Sequence, residues 1–390
     1  ILILSFYFRP DLCAGSFRAS ALVDELLINA QEDVHFDVVT TLPNRYSSFS
    51  ADAEETESLE NLKIHRIKLP AHNSGILDQS KAFVCFSKEA ARITKDTDYD
   101  LVYATSSRLM TAALGAWVAS RKRAKLYLDI RDIFVDTIGD VLSPKIAAFA
   151  KPFFSLVERW AFNQADKINL VSRGFEGYFK ERYPTGSFSW FTNGIDAEFI
   201  EASPSTSNDR ERTSPAKILY AGNIGEGQGL HNIIPEMAKL LAGKAIFQVI
   251  GDGGCKKKLQ DAIAEYKLCN VELLPPIKRD ELIEAYKQAD VLFLHLNDYP
   301  AFQKVLPSKL FEYAAMGKPI LAGVAGYAAE FVNAEIDNAT VFAPCDAEQA
   351  ESAFIALKRS VKPRAGFLQK YSRKNIMQDM AADILRLCSK

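Results

Sequence analysis

Leu306-Pro-Ser-Lys-Leu-Phe-Glu-Tyr-Ala-Ala-Met-Gly-Lys-Pro-Ile320 spells a loop, a helix start, one amphipathic helix, a glycine stop and the opening of a buried strand. Ser308 is expected as the N-cap, so that the first-turn amides, those of Lys309 and Leu310 among them, point into the space ahead of the helix. Glu312 stands one turn in, at the same end. Gly317 ends the helix, Pro319 bars its resumption, and Ile320-Leu-Ala-Gly323 begins a strand. A helix start attracts phosphate, and a carboxylate one turn away accepts from sugar hydroxyls. Together they suit a nucleotide-sugar.

Outward from that stretch, strands and helices alternate through the second half. Strands are predicted at 217–221, 245–250, 271–274, 291–294, 320–322 and 340–342, and helices over 231–241, 256–267 and 280–288. The first half reads the same way. Strands are predicted at 1–6, 34–40, 62–67, 101–104, 125–130 and 167–171, and helices over 16–29, 80–95, 108–121 and 147–163. Such alternation implies mainly parallel sheets covered on both faces. At 390 residues the chain exceeds one ordinary core. The tract Glu201-Ala-Ser-Pro-Ser-Thr-Ser-Asn-Asp-Arg-Glu-Arg-Thr-Ser-Pro215 is polar and breaker-rich, and reads as a linker. The expected architecture is α/β, two doubly wound domains at 1–200 and 201–371. A final amphipathic segment, 372–390, carries Ile376, Met380, Ile384 and Leu387 on one face.

Open parallel sheets bind ligands outside the carboxyl ends of their strands. In the second half that edge carries Gly222-Asn-Ile-Gly-Glu-Gly-Gln-Gly229 and Gly251-Asp-Gly-Gly254, where a ligand can approach the backbone closely. Neither loop is a Rossmann GxGxxG or a Walker motif. In the first half the same edge carries Arg9-Pro-Asp-Leu-Cys-Ala-Gly-Ser16, with Gly15 and Ser16 facing the expected cleft, and Asp129-Ile-Arg-Asp132. Asn193-Gly-Ile-Asp196 is either a ligand loop or a plain turn. Of the five histidines, only His295 ends a predicted strand at this edge, and none has metal-ligand spacing.

A net charge of −2 carries no global signature of nucleic-acid binding. The six cysteines include no CxxC pair, which fits reduced thiols in a cytoplasmic protein. Ile1–Phe6 reads as a first buried strand rather than the tail of a signal peptide. No window has the ~18 apolar residues of a membrane span. The segment 144–160 sets Lys145 and Lys151 beside Phe149, Phe153, Phe154 and Trp160. An interfacial membrane helix has this pattern, and so does a helix packed on a sheet.

Taken in order, Gly15, Asp129–Asp132, Asn193-Gly-Ile-Asp196, Gly222-Asn-Ile-Gly225 with Gln228-Gly229, Gly251-Asp-Gly253 and Leu306–Pro319 resemble glycosyltransferase family 4. The likeness covers essentially the whole chain and is nearest the bacterial O-antigen and capsule branch typified by N-acetyl-fucosamine transferases. It implies a GT-B fold, with two Rossmann-like domains facing across a cleft and the last helix crossing back to the first. It implies retaining transfer without a metal or other cofactor. Donor contacts then fall on Gly222, Asn223, Gly225, Gln228, Gly229, Gly251, Gly253, Ser308, Lys309, Leu310 and Glu312. Glu312 matches the second glutamate of the family's pair, which binds the ribose. The acceptor side falls on Gly15, Ser16, Arg18, Asp129 and Asn193.

The chain departs from the family pattern at several positions. Lys304 stands where the first glutamate of the pair is expected, Asn223 and Gln228 where the glycine loop carries arginine and lysine, and Arg131 with Asp132 where many relatives carry a histidine. Asp132, Arg131 and Lys304 are therefore the catalytic candidates, and Lys304 and Lys309 the cations for the diphosphate. The resemblance implies a UDP-sugar donor and a polyprenyl-diphosphate-linked saccharide acceptor, met at the inner face of the cytoplasmic membrane. The alternatives are a GT-B-type nucleotide-sugar epimerase and a non-catalytic nucleotide-sugar-binding subunit. A dinucleotide-dependent oxidoreductase is disfavoured by the missing fingerprint.

Overall fold

A computed structural model describes residues 1–43, 53–70, 76–106, 109–141, 144–207 and 215–388. Residues 208–214 of the polar tract lie outside them, as does Arg108 at the predicted start of one helix. The chain forms two compact units, Ile1–Asn193 with Arg373–Lys390, and Gly194–Ser372.

The first unit is built on β1 (Leu2–Leu4), β2 (Phe36–Thr41), β3 (Thr56–Ser58), β4 (Leu62–Ile67), β5 (Leu101–Ser106), β6 (Lys125–Ile130), β7 (Lys167–Leu170) and β8 (Phe188–Ser189). Their order is β3-β4-β2-β1-β5-β6-β7-β8, parallel except for the β3–β4 pair. The order reverses between β1 and β5. Strand β5 is buried at every position, as a strand covered on both faces must be. The C-terminal helix Arg373–Cys388 lies in this unit, where Met377, Met380, Ala381 and Ile384 share one core with Leu22, Val23 and Leu26. Met380 and Ile384 were expected on that face. Ile376 and Leu387 are only partly buried, and Met377 and Ala381 fill the centre of the stripe.

Among the described residues the second unit holds six strands, β9 (Ala216–Asn223), β10 (Ala245–Asp252), β11 (Val271–Leu274), β12 (Val291–His295), β13 (Ile320–Gly323) and β14 (Ala339–Phe342). All are parallel, in the order β11-β10-β9-β12-β13-β14. This is the doubly wound order of a dinucleotide-binding sheet, and its switch point lies between β9 and β12. Both expected sheets are therefore present.

The division between the units falls at 193/194, ahead of the polar tract. Packing accounts for the difference. Phe199, on the short helix Ala197–Glu201, is buried in the second unit and stacks on Tyr286 at 6.0 Å, while Arg279 holds Asp196.

Candidate functional site

Gly222 and Gly251 are the penultimate residues of β9 and β10 and lie in register with one another. Their φ angles of +146° and +150° lie where L side chains are strained. A Cβ on Gly251 would collide with the Gly222 carbonyl, so the two strand ends can lie this close only as glycines. A Cβ on Gly222 would collide with the ammonium of Lys309, which rests over this bare backbone and 5.6 Å from the centre of the Tyr220 ring.

Lys309 and Glu312 lie three residues apart on the helix Lys309–Ala315, and so share one face. Leu310, Phe311 and Tyr313 fill its core side. Glu312 accepts a 3.3 Å hydrogen bond from the Tyr286 hydroxyl, and Tyr286 packs edge-on against Tyr313 at 5.3 Å. Gly317 ends the helix at φ +64°, as expected.

The helix start differs from expectation in how its amides are satisfied. Ser308 does stand at the N-cap, but its backbone has helical dihedrals and its hydroxyl makes no capping bond. The first turn closes with tight bonds instead, Leu310 N–H to Pro307 O at 3.2 Å and Phe311 N–H to Ser308 O at 3.1 Å. The Leu310 amide is therefore committed within the chain and its side chain is buried. Positive charge reaches this edge through the Lys309 side chain. Lys304 ends the 3₁₀ turn Pro300–Lys304 just before it.

The first glycine loop is braced from within. Asn223 Nδ2 donates to Gln228 Oε1 at 2.8 Å, so the two residues at the family's cationic positions bind each other. Gly225 begins a turn that Gly229 closes, and the helix Leu230–Leu240 follows. Gly253 packs against the Ile224 carbonyl, which joins the second loop to the first. His295 is buried and offers nothing to a ligand. Its Nδ1–H donates to Gln228 O at 2.7 Å, and its Nε2 accepts from Cys345 N–H at 2.9 Å. Burial pushes its pKa down to about 4, against the backbone bond, so the neutral ring holds the loop at neutral pH.

Sequence reading missed Tyr286, Arg279, Asn297 and Lys256. Asn297 Nδ2 donates to Glu226 O, and Lys256 Nζ donates to Gly251 O. Arg279 binds Asp196, and its positive charge also acts on Glu312. It follows the carboxyl end of β11, on the same sheet edge as the two glycine loops.

In the first unit the structure brings Gly15 and Arg131 together. A Cβ on Gly15 would stand 2.6 Å from Arg131 Nη1, so the guanidinium lies over the start of the helix Ala14–Asn29. Arg131 Nε is buried without a partner among the described residues. Asp132 is exposed, and desolvation by the neighbouring protein lifts its carboxyl to about 6 against the pull of Arg131.

Arg18 and Asp129 are corrected as acceptor-side contacts. Arg18 Nε and Nη2 donate to the two Asp129 oxygens at 2.8 Å each, and the side chains are 1% and 0% exposed. Asp129 also accepts from Tyr103, Thr105 and Asn169, while Arg18 donates to Phe191 O and Thr192 O. The pair braces the end of β6. Ser16 and Asn193 are likewise buried.

Residues 22–185 match the family described as Glycosyl transferase 4-like domain, and residues 205–374 match Glycosyl transferases group 1. The chain is 30% identical over 217 residues to WcaI of Escherichia coli (strain K12), named a colanic acid biosynthesis glycosyl transferase. That match covers 51% of each chain, so it spans about half the length of the relative. Among solved structures, sucrose-phosphate synthase from Thermosynechococcus elongatus has a TM-score of 0.73 at 15% identity, covering 100% of this chain and 99% of its own. HepE of Anabaena in complex with UDP has a TM-score of 0.63 at 15% identity, covering 99% of each chain. These likenesses show the GT-B glycosyltransferase fold.

Proposed function

Both halves of this chain carry glycosyltransferase domains, and from that premise we propose that the protein is a retaining transferase. It moves an N-acetylated hexosamine or deoxyhexosamine from a UDP-sugar to a lipid-linked saccharide in surface polysaccharide biosynthesis. One observation carries this reading: Lys309 over the bare Gly222 backbone, with Glu312 on the same helix face held by Tyr286. A cation beside exposed backbone suits a diphosphate, and an oriented carboxylate suits ribose hydroxyls. The UDP in the HepE structure and the colanic acid assignment of WcaI support the donor and the pathway class.

In this scheme the bond from the sugar C1 to the diphosphate oxygen breaks as the acceptor oxygen arrives on the same face. The leaving diphosphate takes the acceptor's proton. Lys309, Lys304 and the loop backbone meet the charge that develops there, so the scheme needs no metal. Arg131, over the start of the helix Ala14–Asn29, binds the acceptor's diphosphate, and Asp132 orients its hydroxyl.

Among the described residues no helix is long and apolar enough to cross a membrane. The helix Pro144–Phe162 supports peripheral contact instead. Its inner face is packed, with Glu158 buried under Tyr178 and Tyr183. Ile146, Phe153, Leu156 and Trp160 are exposed, and helical geometry sets them on one arc of about 80°. Lys145 and Arg159 are exposed on the flank of that arc, whereas Lys151 is exposed on the opposite side of the helix. A cytoplasmic protein resting on the inner face of the membrane would meet a polyprenyl-linked acceptor there.

Thermal-shift measurements with UDP-, GDP- and dTDP-sugars test the donor. UDP compounds raise the unfolding temperature on this reading, and stabilisation by GDP or dTDP compounds alone contradicts it.

A further inference from the structure

Glu226, His231 and Cys255 bring a carboxylate, an imidazole and a thiol together in the second unit, with their ligand atoms all within 4.8 Å of one another. Cys255 Sγ lies 3.1 Å from Glu226 Oε2, and His231 Nε2 lies 3.8 Å from Glu226 Oε1. Ligand atoms held tetrahedrally at 2.0–2.3 Å from an ion stand roughly 3.3–3.7 Å apart, so the three groups need only small movements to close on one. His231 Nδ1 is buried and has no partner among the described residues.

The three side chains come from separate segments. Glu226 opens the 3₁₀ turn in the first glycine loop, and His231 sits in the first turn of the helix Leu230–Leu240. Cys255 directly follows the second glycine loop and precedes the helix Lys256–Glu265. We propose that Glu226, His231 and Cys255 bind one zinc-class divalent cation that ties the two glycine loops together. Sulfur and imidazole donors select such an ion over magnesium or calcium, which prefer all-oxygen sites.

On binding, the Cys255 thiol gives its proton to water and the metal–sulfur bond forms; no electron is transferred. Lys258 Nζ, now 3.1 Å from Glu226 Oε2, leaves for solvent, which its exposed side chain permits. Tyr299, whose hydroxyl donates to Glu226 Oε1 at 3.1 Å, keeps the carboxylate oriented. Water takes the fourth position. The ion is a clamp on the loops and takes no part in sugar transfer, so its test does not depend on the transferase reading.

The test is titration of the chelator-stripped full chain with Co²⁺, followed by optical absorption. The expected result is one equivalent bound, with a thiolate-to-cobalt charge-transfer band that Zn²⁺ displaces. Cys255→Ser abolishes the band, and His231→Ala weakens uptake at least tenfold. Cys269→Ser, at an exposed cysteine, changes neither. Thermal unfolding in chelator shows whether each variant is folded like the parent. No charge-transfer band at millimolar Co²⁺ overturns the proposal, as does a band that survives Cys255→Ser or disappears in Cys269→Ser.

Discussion

The Arg18 guanidinium grips the Asp129 carboxylate through two 2.8 Å hydrogen bonds, and both side chains are sealed from solvent. Removing one partner leaves the other charge buried. Asp129→Ala is therefore expected to cost about 3–5 kcal/mol in urea unfolding. Burial alone would raise the Asp129 carboxyl, but the Arg18 charge and the bonds from Arg18 and Asn169 outweigh it, and the group lies below the ordinary carboxylate value. Its stabilising contribution is thus complete above the unfolded value of about 3.9. It is lost as the pH falls from there through the lower folded value. Wild-type stability should drop over that acid range, and the drop should be smaller in Asp129→Ala.

Gly222→Ala places a methyl group at a strained φ and against Lys309. The lysine tip can move, but the backbone strain remains, and a loss of about 1–3 kcal/mol is expected. UDP affinity should fall as well, because the ammonium is displaced. Gly254, in the neighbouring loop, has open space at its Cβ position and an ordinary φ. Gly254→Ala should leave unfolding midpoint and affinity unchanged.

Desolvation raises the Asp132 carboxyl to about 6, so it is mostly ionised at neutral pH and becomes mostly protonated about a unit below that value. If the carboxylate orients the acceptor hydroxyl, transfer should fall tenfold per pH unit well below 6. Asp132→Asn should lower kcat and remove this acid limb, leaving the KM for the donor unchanged. A parallel loss of activity that keeps the limb assigns the titration to another group.

The exposed apolar face of the helix Pro144–Phe162 should drive co-sedimentation with vesicles containing anionic lipid, and less with neutral ones. Leu156→Glu and Trp160→Glu together should abolish it without lowering the unfolding temperature, because both side chains are exposed. Equal sedimentation of parent and variant would remove this helix from the membrane contact.

Apart from β3 and β8, which were not expected, the strands were legible because each is a short apolar run, and β9, β10 and β12 fall within a residue or two of expectation. The helices Gly326–Glu335 and Ala347–Ala356 were not, because their buried stripes are Ala328, Phe331 and Val332, and Ala350, Ala353 and Phe354. Stripes that short give little periodicity. Lys309 and Glu312 were readable from one continuous motif, whereas Tyr286, which orients Glu312, arrives from another segment. Asp129 was expected to face the acceptor because it stands at a strand end; its partner Arg18 stands 111 residues earlier, and no local pattern links the two.

Calorimetric titration of UDP into the parent chain and into Glu312→Ala tests the central claim most directly. A hydrogen bond to a charged group contributes about 1.5–3 kcal/mol, so affinity in the variant should fall roughly 10- to 100-fold with the unfolding temperature unchanged. Equal affinity in the two proteins would contradict the assignment of the ribose to Glu312, and with it the account of the donor site.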